Sequence, residues 1–321
     1  MSRPGPPPAT VAVVGLGCIG GSVALGLRRA LPRVRLLGVD RDPAALLAAR
    51  AAGAIDHAVT LAAAAEADCV VLAVPVLDVR PALAELAAAA GDRPPVVTDT
   101  ASTKRLVCRW GRRWFGPGAF LGGHPMAGRE RSGFAAATAT LFDGRTWALT
   151  PSDPHDPDAL LPFGPWLHCV EQLGARPLLV TAERHDRLVA RTSHLPLVLA
   201  HVCAAAAAAG AAEDPLARRL VGSGFRDVAR MAAGDPTMSA HIAASNARDL
   251  DRALAAAEAE LARLRRGLRD LGDPNPQGDA AQDLERGPAP LGAAVLGLRS
   301  WFAAAGSARG ELLAEAPVDA G

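Results

Sequence analysis

The sequence predicts an α/β fold in which a doubly wound parallel sheet is followed by an all-helical C-terminal domain. Up to about residue 181, short apolar runs rich in β-branched residues alternate with stretches of helical pattern. These runs are apolar throughout, which is typical of parallel strands that helices cover on both faces. After Thr181 the alternation stops, and the chain has a helical pattern almost continuously to Leu271.

The predicted elements can be placed one by one. Strands are expected at Val11–Val14, Val34–Val39, Cys69–Val74, Pro95–Asp99, Thr146–Thr150 and Arg176–Thr181. Helices are expected at Ile19–Ala30, Pro43–Ala52 and Asp78–Ala90. In the second half of the chain, Asp235 is predicted to cap a long helix that has Pro236 in its first turn.

These elements divide the chain into four parts. A proline-rich leader (1–10) is expected to be disordered, and the sheet domain occupies 11–181. The helical domain covers 182–271, and a Gly/Pro/Asp-rich linker with a final helix follows (272–321). A length of 321 residues is comfortable for two compact domains.

A regular apolar stripe runs along the helix predicted to begin at Pro236. Its members are Leu250, Leu254, Ala257, Leu261, Leu264, Leu268 and Leu271. Alternating steps of four and three residues are the spacing of a coiled-coil seam. The seam fits packing inside the domain and also an interface between two copies of the chain. We predict a homodimer through the helical domain.

The overall charge excludes several classes of partner. There are 34 basic and 33 acidic residues, so the net charge of +1 gives no electrostatic reason to expect nucleic acid or an anionic membrane. The five cysteines contain no C-x-x-C pair, so neither a disulfide framework nor a metal site is expected. The uncharged stretch from Thr10 to Leu27 contains five glycines, which argues against a membrane span or signal peptide. We expect a cytoplasmic protein.

The first predicted strand runs into the sequence Gly15-Leu-Gly-Cys-Ile-Gly20, and a helix follows. In this strand–turn–helix context, G-x-G-x-x-G is the fingerprint of a Rossmann-type dinucleotide site. Gly15 permits the tight turn, and Gly17 lets the backbone approach the pyrophosphate. Gly20 lets the helix pack against the strand, and Ile19 lies in the same turn. The helix N-terminus then faces the phosphates.

The same motif predicts which nicotinamide dinucleotide binds. Asp40 ends the second strand, 20 residues past Gly20, where a carboxylate accepts the adenosine ribose hydroxyls. Because its negative charge would repel a 2′-phosphate, NAD is predicted in preference to NADP. NADP remains an alternative cofactor because Arg41, an arginine next to Asp40, can bind the 2′-phosphate. Val74 and Pro75, at the end of the third strand, are expected to line the cofactor cleft.

Two later segments combine small and polar residues, at 98–104 and 122–130. Ligands of open α/β sheets bind where the strands end, so both segments are expected beside the nicotinamide. Glycines and a proline flank His124, and we therefore expect this histidine on a loop. Lys104 is the only lysine of the chain, which otherwise uses arginine at every basic position.

Together with other segments in the same order, these motifs resemble the prephenate/arogenate dehydrogenase family. The segments carrying the resemblance are Gly15–Ser22, Asp99–Lys104, Gly122–Gly128, Ser132-Gly133, Leu141–Gly144, Thr146–Pro151, His185-Asp186, Ser193–Pro196, Gly224–Asp227 and Arg230. They span roughly residues 11–270 and both predicted domains.

The resemblance implies oxidation of the ring C4 of prephenate or arogenate with loss of the ring carboxylate, for which no metal is needed. His124 matches the catalytic histidine, which accepts the hydroxyl proton and gives an acid limb with a pKa near 6.5, the ordinary value of histidine. Ser102 matches the serine that orients this histidine and the nicotinamide.

The remaining matches concern the substrate and the helical domain. Arg230 matches a substrate-binding arginine, because a guanidinium can grip a carboxylate with two hydrogen bonds. His194 and Glu130 match residues of the substrate pocket, and Lys104 is expected near it. For His194 a packing role, and for Glu130 a solvated surface position, remain open. His185 and Asp186 are expected to tie their helix to the cofactor domain.

The sequence departs from the family pattern at two positions of the helical domain. Ser223 stands where a glycine run is usual, and Ser239 stands where many relatives have tryptophan. These differences leave open the same reaction on 4-amino-4-deoxyprephenate. A non-catalytic dinucleotide sensor also remains an alternative. A 3-hydroxy acid or pyrroline carboxylate reductase would not explain His124, Ser102 and Arg230 together.

Overall fold

The structure, a computed structural model, describes residues 6–128, 131–270 and 289–314. Residues up to Leu250 form one compact unit, and those from Asp251 form a second. The predicted leader (1–10) lies partly outside the described residues, and the predicted linker (272–292) lies largely outside them. The described first unit contains the sheet and most of the helices.

The sheet has eight strands in the order β3-β2-β1-β4-β5-β6-β7-β8. Their bounds are β1 Thr10–Val14, β2 Arg35–Val39, β3 His57–Ala58, β4 Cys69–Leu72, β5 Val96–Asp99, β6 Phe120–Pro125, β7 Thr146–Thr150 and β8 Arg176–Leu179. All neighbouring strands pair in parallel except β6 and β7, which are antiparallel. The chain order reverses between β1 and β4, and this switch point is where an open α/β sheet binds its ligand.

Helices cover the sheet and make up most of the described chain after Thr181. Their bounds are α1 Cys18–Ala30, α2 Pro43–Ala51, α3 Leu61–Ala64, α4 Val79–Ala89, α5 Arg105–Phe115, α6 Gly164–Gln172, α7 Ala182–Val189, α8 Leu195–Glu213, α9 Ser223–Ala229, α10 Pro236–Ser245, α11 Ala247–Asp270 and α12 Ala289–Leu313. The α/β class with a parallel sheet followed by helices is therefore confirmed.

The apolar character of β1 follows from its central place in the sheet. Val11 and Val13 belong to one hydrophobic cluster, and Ala12 and Val14 belong to the other. Since successive side chains of a strand point to opposite faces, each face of β1 is buried under its own helical layer.

Two predictions about local structure are wrong. His124 lies in strand β6, where it pairs with Ala148 of β7, and not on a loop. The long helix predicted from Pro236 to Leu271 is interrupted at Asn246 and becomes α10 and α11. Asn246 donates its side-chain N–H to the carbonyl oxygen of Asp186 at 2.8 Å, and this tertiary bond accompanies the break in the helix.

A π-helical turn at Ala190–His194 joins α7 to α8. The resulting stretch, Ala182–Glu213, is long and apolar enough to cross a membrane by length and composition alone. Only 11% of its most apolar window is buried. The exposed apolar side chains of α8 include Leu199 and Val202. In contrast, Thr10–Leu27 forms a strand, a glycine turn and the start of α1.

Candidate active site

The glycine turn between β1 and α1 has the geometry that its sequence predicts. Gly15 has a φ of +89°, and its N–H donates to the carbonyl oxygen of Val39 at 2.8 Å. A Cβ on Gly15 would lie 2.5 Å from the carbonyl oxygen of Ala73, and one on Gly20 would lie 1.8 Å from that of Gly15. Both positions therefore require glycine. A Cβ on Gly17 would meet nothing within 4 Å, so its outer side is open.

The start of α1 has no side-chain cap. Gly17 is the N-cap and no side chain caps the helix, whose first turn also contains no acidic residue. The first N–H groups of a helix have no partner inside it, and they carry the positive end of the helix dipole. Ile19 is half-buried in this turn. An uncapped N-terminus beside the open side of Gly17 fits a pyrophosphate group.

Asp40 follows β2 and is held by two backbone groups. Its Oδ2 accepts from the N–H of Leu16 at 2.6 Å, and its Oδ1 accepts from that of Asp42 at 2.9 Å. Each carboxylate oxygen can accept a second bond, so ribose hydroxyls can still be bound. Arg41 is 83% exposed and pairs with Asp78 at 3.1 Å. Its guanidinium thus already has a carboxylate partner, which weakens the case for a 2′-phosphate site.

The cofactor cleft continues along the carboxyl end of β4. Val74 and Pro75 are half-buried there, and a Cβ on Gly15 would lie 3.1 Å from Cγ1 of Val74. The carboxyl ends of β1, β4, β5 and β6 share one sheet edge because these strands are parallel. His124 is near the end of β6, so it lies on the same edge as the glycine turn.

His124 takes part in a buried chain of three side chains. Its Nδ1 lies 2.8 Å from Nε2 of His185, and Nδ1 of His185 lies 2.8 Å from Oδ1 of Asp186. The rings of the two histidines meet edge to face, with centroids 5.1 Å apart. Burial lowers the pKa of His124 well below its ordinary value, and the nearby His185, Lys104 and His194 lower it further. His124 is therefore neutral at pH 7 and able to accept a proton.

Lys104 lies directly before α5 and is completely buried. Its ammonium pairs with Asp99 and donates to the carbonyl oxygen of Gly123 at 2.6 Å. Asp99 also accepts from the N–H of Gly123, at 3.2 Å. Burial raises the pKa of the Asp99 carboxyl, although the Lys104 charge opposes the shift. These contacts favour a role for Lys104 in positioning β6 over the predicted contact with substrate.

The two glycines before His124 are explained by this packing. A Cβ on Gly122 would lie 2.2 Å from Oγ1 of Thr150, and one on Gly123 would lie 2.6 Å from the carbonyl oxygen of Asp99. Glycine at both positions lets β6 lie directly against its neighbours. The glycines that suggested a loop thus serve a closely packed strand.

His194 and Ser102 lie close to the same cluster. Nδ1 of His194 is 3.2 Å from the side-chain nitrogen of Asn246, and His194 is almost fully buried. Burial is the main cause that lowers the pKa of His194 to about 4, whereas the charge of Asp186 and a hydrogen bond to the Ser102 backbone raise it. The Ser102 side chain makes no hydrogen bond to His124, whose Nδ1 is taken by His185.

The predicted substrate residues are not all brought to this cluster. Arg230 is exposed and begins a 3-10 turn, Arg230–Ala233, that packs against α8. It takes no part in the hydrogen bonds of His124, His185 and Asp186. Glu130 lies outside the described residues. Within the described ranges, no three His, Cys, Asp or Glu side chains are grouped closely enough to hold a metal ion.

Sequence reasoning placed Asp99 in a segment beside the nicotinamide but gave it no role of its own, and it did not single out Asn246. Asp99 ends β5, as Asp40 follows β2, and a carboxylate at a strand end was the available signal for it. Asn246 gave no such signal, because its role depends on contacts with Asp186 and His194 that lie 60 and 52 residues away. His185 and Asp186 were expected to tie α7 to the sheet domain, and Asp186 accepts the N–H groups of Lys104 and Arg105 as expected.

Comparison with known proteins gives two adjoining family matches. A profile described as prephenate dehydrogenase, nucleotide-binding domain, matches residues 23–176. A second, described as prephenate dehydrogenase, dimerization domain, matches residues 181–279. A prephenate dehydrogenase of Lactococcus lactis is 33% identical over 239 residues, or 74% of this chain. The chain spans 64% of the length of that relative.

Two solved structures are similar over nearly their whole length. The arogenate dehydrogenase of Synechocystis has a TM-score of 0.66 at 30% identity, and the match covers 86% of this chain and 96% of that protein. The prephenate dehydrogenase of A. aeolicus, in complex with hydroxyphenyl propionate and NAD+, has a TM-score of 0.72 at 26% identity. That match covers 86% of this chain and 95% of the A. aeolicus protein.

Proposed function

The chain belongs to the prephenate dehydrogenase family, and on that premise we propose that it catalyses the NAD-dependent oxidative decarboxylation of prephenate or arogenate. The observation that carries the proposal is His124, a buried neutral histidine on the sheet edge that also holds the glycine turn. The relatives named for prephenate and for arogenate support this substrate class. We expect the enzyme in the cytoplasm, as the sequence indicates.

We assign the dinucleotide to the turn of Gly15, Gly17, Ile19 and Gly20. The uncapped start of α1 would hold the pyrophosphate, and Asp40 would accept the ribose hydroxyls. NAD supplies the acceptor for the hydride that leaves C4 of the ring. The NAD+ bound in the A. aeolicus relative supports the same assignment here. The Arg41–Asp78 pair supports NAD over NADP, because the Arg41 guanidinium already has a carboxylate partner.

His124 acts as the general base in this proposal. As the C4–H bond breaks, the C4 hydroxyl becomes a carbonyl and its proton passes to the neutral imidazole. A positioned base of this kind contributes about 10²–10⁴ in rate. The low pKa of His124 keeps the ring neutral before the substrate arrives. The acid limb of the pH–rate profile is therefore expected below about 6.5, the ordinary pKa of histidine that the resemblance implied.

The proton balance requires His124 to act a second time. When the ring carboxylate leaves as carbon dioxide, its bonding electron pair enters the ring and the C4 carbonyl becomes a phenolate. The phenolate takes back the proton held by His124, so the aromatic product is neutral at that oxygen and the base is restored. One histidine therefore serves both half-reactions without a net change in its protonation.

Arg230 and His194 are proposed to bind the substrate. A guanidinium at Arg230 would pair with a substrate carboxylate, as the resemblance to the family implies. His194 is buried beside Ser102 and Asn246, and its pKa of about 4 keeps it neutral. The place of Glu130 in the substrate pocket stays a prediction from the sequence.

We also propose that the enzyme is a homodimer. The match to a dimerization domain covers 181–279, which includes α8. On α8, Leu199 and Val202 are 36% and 55% exposed in the single chain. Exposed apolar area of this kind is typical of an obligate interface. The dimerization-domain match supports a second copy of the chain as the occupant of this surface.

An NADH-formation assay on the purified full chain tests the proposed function. Prephenate, arogenate and 4-amino-4-deoxyprephenate are compared side by side, each with NAD and with NADP. We expect NAD-dependent turnover on prephenate or arogenate. Turnover on 4-amino-4-deoxyprephenate alone would identify that compound as the substrate and contradict the proposed one. NAD binding without turnover on any of the three would identify a sensor and contradict the proposal.

A further inference from the structure

The buried hydrogen bonds that join His124, His185 and Asp186 also indicate which ring nitrogen of His124 carries a proton. Its three members come from β6 and α7, and all are at most 8% exposed. His185 bonds to His124 through Nε2 and to Asp186 through Nδ1, each at 2.8 Å. A neutral imidazole donates through one ring nitrogen and accepts through the other. The donor direction along the chain is therefore the same at both links.

Asp186 determines that direction. Its Oδ1 also accepts from the backbone N–H of Lys104 at 2.7 Å, and its Oδ2 accepts from that of Arg105 at 2.9 Å. Burial by itself raises the pKa of Asp186, but the hydrogen bonds from His185 and these two N–H groups outweigh it and lower the pKa. Asp186 is thus an ionised carboxylate, and an ionised carboxylate can only accept.

Since Asp186 accepts, His185 donates through Nδ1 and its Nε2 carries a lone pair. Since that Nε2 accepts, His124 donates through Nδ1 and its own Nε2 is left unprotonated. We propose that His185 and Asp186 are positioning residues that fix the tautomer of His124, so that its Nε2 is the basic atom. The proposal rests on the proposed function, because it assigns the atom that receives the substrate proton.

Two cationic side chains near these three residues have carboxylate partners of their own. The Lys104 ammonium pairs with Asp99, and the Arg105 guanidinium pairs with Asp249. Neither cation is therefore directed at the Asp186 carboxylate. The ring of His194 is bonded to Asn246, which also donates to the backbone carbonyl of Asp186. Within the described residues, Nε2 of His124 has no hydrogen-bond partner, which leaves it available to substrate.

The residue that orients His124 in this structure is His185, whereas the resemblance implies Ser102. Ser102 matches the serine that orients the catalytic histidine, but Nδ1 of His124 is bonded to His185 instead. Ser102 therefore keeps its proposed contact with the nicotinamide, while the tautomer is set from α7. The analogy is with hydrolase triads, in which a buried aspartate holds the histidine in the reactive tautomer.

The test reads the tautomer directly in the full chain without substrate. Histidine side chains are labelled with ¹⁵N, and the protonated and unprotonated ring nitrogens are distinguished by NMR at about pH 8, where neutral rings dominate. The His124 signals are assigned as those absent from His124→Asn. We expect wild-type His124 to be protonated at Nδ1 and unprotonated at Nε2. Protonation at Nε2 in the neutral ring would overturn the proposal.

The variant His185→Phe removes the acceptor for Nδ1 while keeping a ring of similar size. We expect the His124 signals to shift towards the Nε2-protonated form and kcat to fall by on the order of 10²-fold, with a much smaller change in the KM for substrate. His201→Asn is the matched control, since among the described residues the His201 ring bonds to the carbonyl oxygen of Leu197 alone. An unchanged tautomer together with an unchanged kcat in His185→Phe contradicts the proposal.

The two measurements separate this proposal from the proposed function. The tautomer of wild-type His124 is observed without substrate and needs no variant to fold. If the enzyme turned over none of the cyclohexadienyl substrates but showed the expected tautomer, the proposed function would fail and the positioning role would stand. If turnover were normal but Nε2 carried the proton, the positioning role alone would fail.

Discussion

The ammonium of Lys104 lies 2.6 Å from the carbonyl oxygen of Gly123, the residue that directly precedes His124. The pairing of β5 with β6 extends to Thr98 and Leu121. Beyond that point, the Asp99 carboxylate accepts from the N–H of Gly123, and the Lys104 ammonium donates to the carbonyl oxygen of Gly123. A buried ion pair thus continues the hydrogen bonding of the sheet up to the base, and holds the backbone of His124 in place.

Removing the cation of this pair should be costly. In Lys104→Met, Asp99 stays buried without its partner, so we expect the free energy of unfolding to fall by about 3–5 kcal/mol. Turnover should fall as well, because β6 loses a contact next to His124. Denaturant unfolding measures the first effect. Arg263→Met, which breaks the exposed pair with Glu260, is the control and should change the free energy of unfolding little. Equal losses in the two variants would contradict the structural role of Lys104.

Cofactor preference tests Asp40. Asp40→Ser removes the carboxylate assigned to the ribose hydroxyls and also the charge that repels a 2′-phosphate. We expect a higher KM for NAD and a smaller gap between NAD and NADP, measured by steady-state kinetics with both cofactors. Asp92→Ser, at an exposed aspartate, should leave both values unchanged. Equal use of NAD and NADP by the unmodified enzyme would show that the assignment is wrong.

The buried neutral histidines predict how stability depends on pH. The pKa of His194 is lowered to about 4, mainly by burial, and that of His124 is also lowered. Between about pH 6.5 and 4, the unfolded chain binds protons that the folded chain does not, so the free energy of unfolding decreases as the pH falls. His194 alone should account for on the order of 3 kcal/mol across that window.

Urea unfolding of wild type and His194→Asn at pH 7 and about pH 5 checks this dependence. The loss between the two pH values should be smaller in the variant, because it lacks the ring that must be charged on unfolding. His201→Asn should behave as wild type. The same loss in wild type and His194→Asn would be inconsistent with a neutral His194 in the folded protein.

The apolar seam of α11 is predicted to lie in the dimer interface. Leu261 and Leu268 are 52% and 49% exposed in the single chain, whereas Leu250 is buried; Leu271 lies outside the described residues. Leu261→Glu would bury a charge in that interface, which is strongly unfavourable without a partner. Light scattering should show dissociation or loss of soluble protein, whereas Ala259→Glu, on the opposite side of the helix, should remain dimeric. A wild-type monomer at micromolar concentration would exclude the interface.

The cofactor half of the site could be predicted from the sequence because its signals are local. The strand before Gly15, the steric need for glycine at Gly15 and Gly20, and the carboxylate after the next strand are all short-range features. The parallel sheet was predictable for the same reason, since β1 and β4 are apolar on both faces.

The base could be named from motifs, but its surroundings could not be predicted. The glycines around His124 suggested a turn, and only antiparallel pairing with β7 and packing on Lys104 make the segment a strand. The contact between His124 and His185 joins residues 61 positions apart and leaves no periodic trace in the sequence. The break at Asn246 also depends on a distant partner, Asp186.

The substrate clamp should be kinetically distinct from the base. Arg230→Ala is expected to raise the KM for substrate more than it lowers kcat, because a carboxylate pair forms in the ground state as well as in the transition state. Steady-state kinetics at saturating NAD measure both constants. A loss confined to kcat would place Arg230 away from the substrate carboxylates.

The most direct test of the account is NADH formation by His124→Asn at saturating NAD and cyclohexadienyl substrate, with NAD affinity measured on the same protein. If the neutral imidazole accepts the C4 hydroxyl proton, turnover should fall by roughly 10²-fold or more while NAD affinity stays nearly unchanged. His201→Asn should keep wild-type values for both. Near-normal turnover in His124→Asn, or a loss of NAD binding in its place, would contradict the central claim.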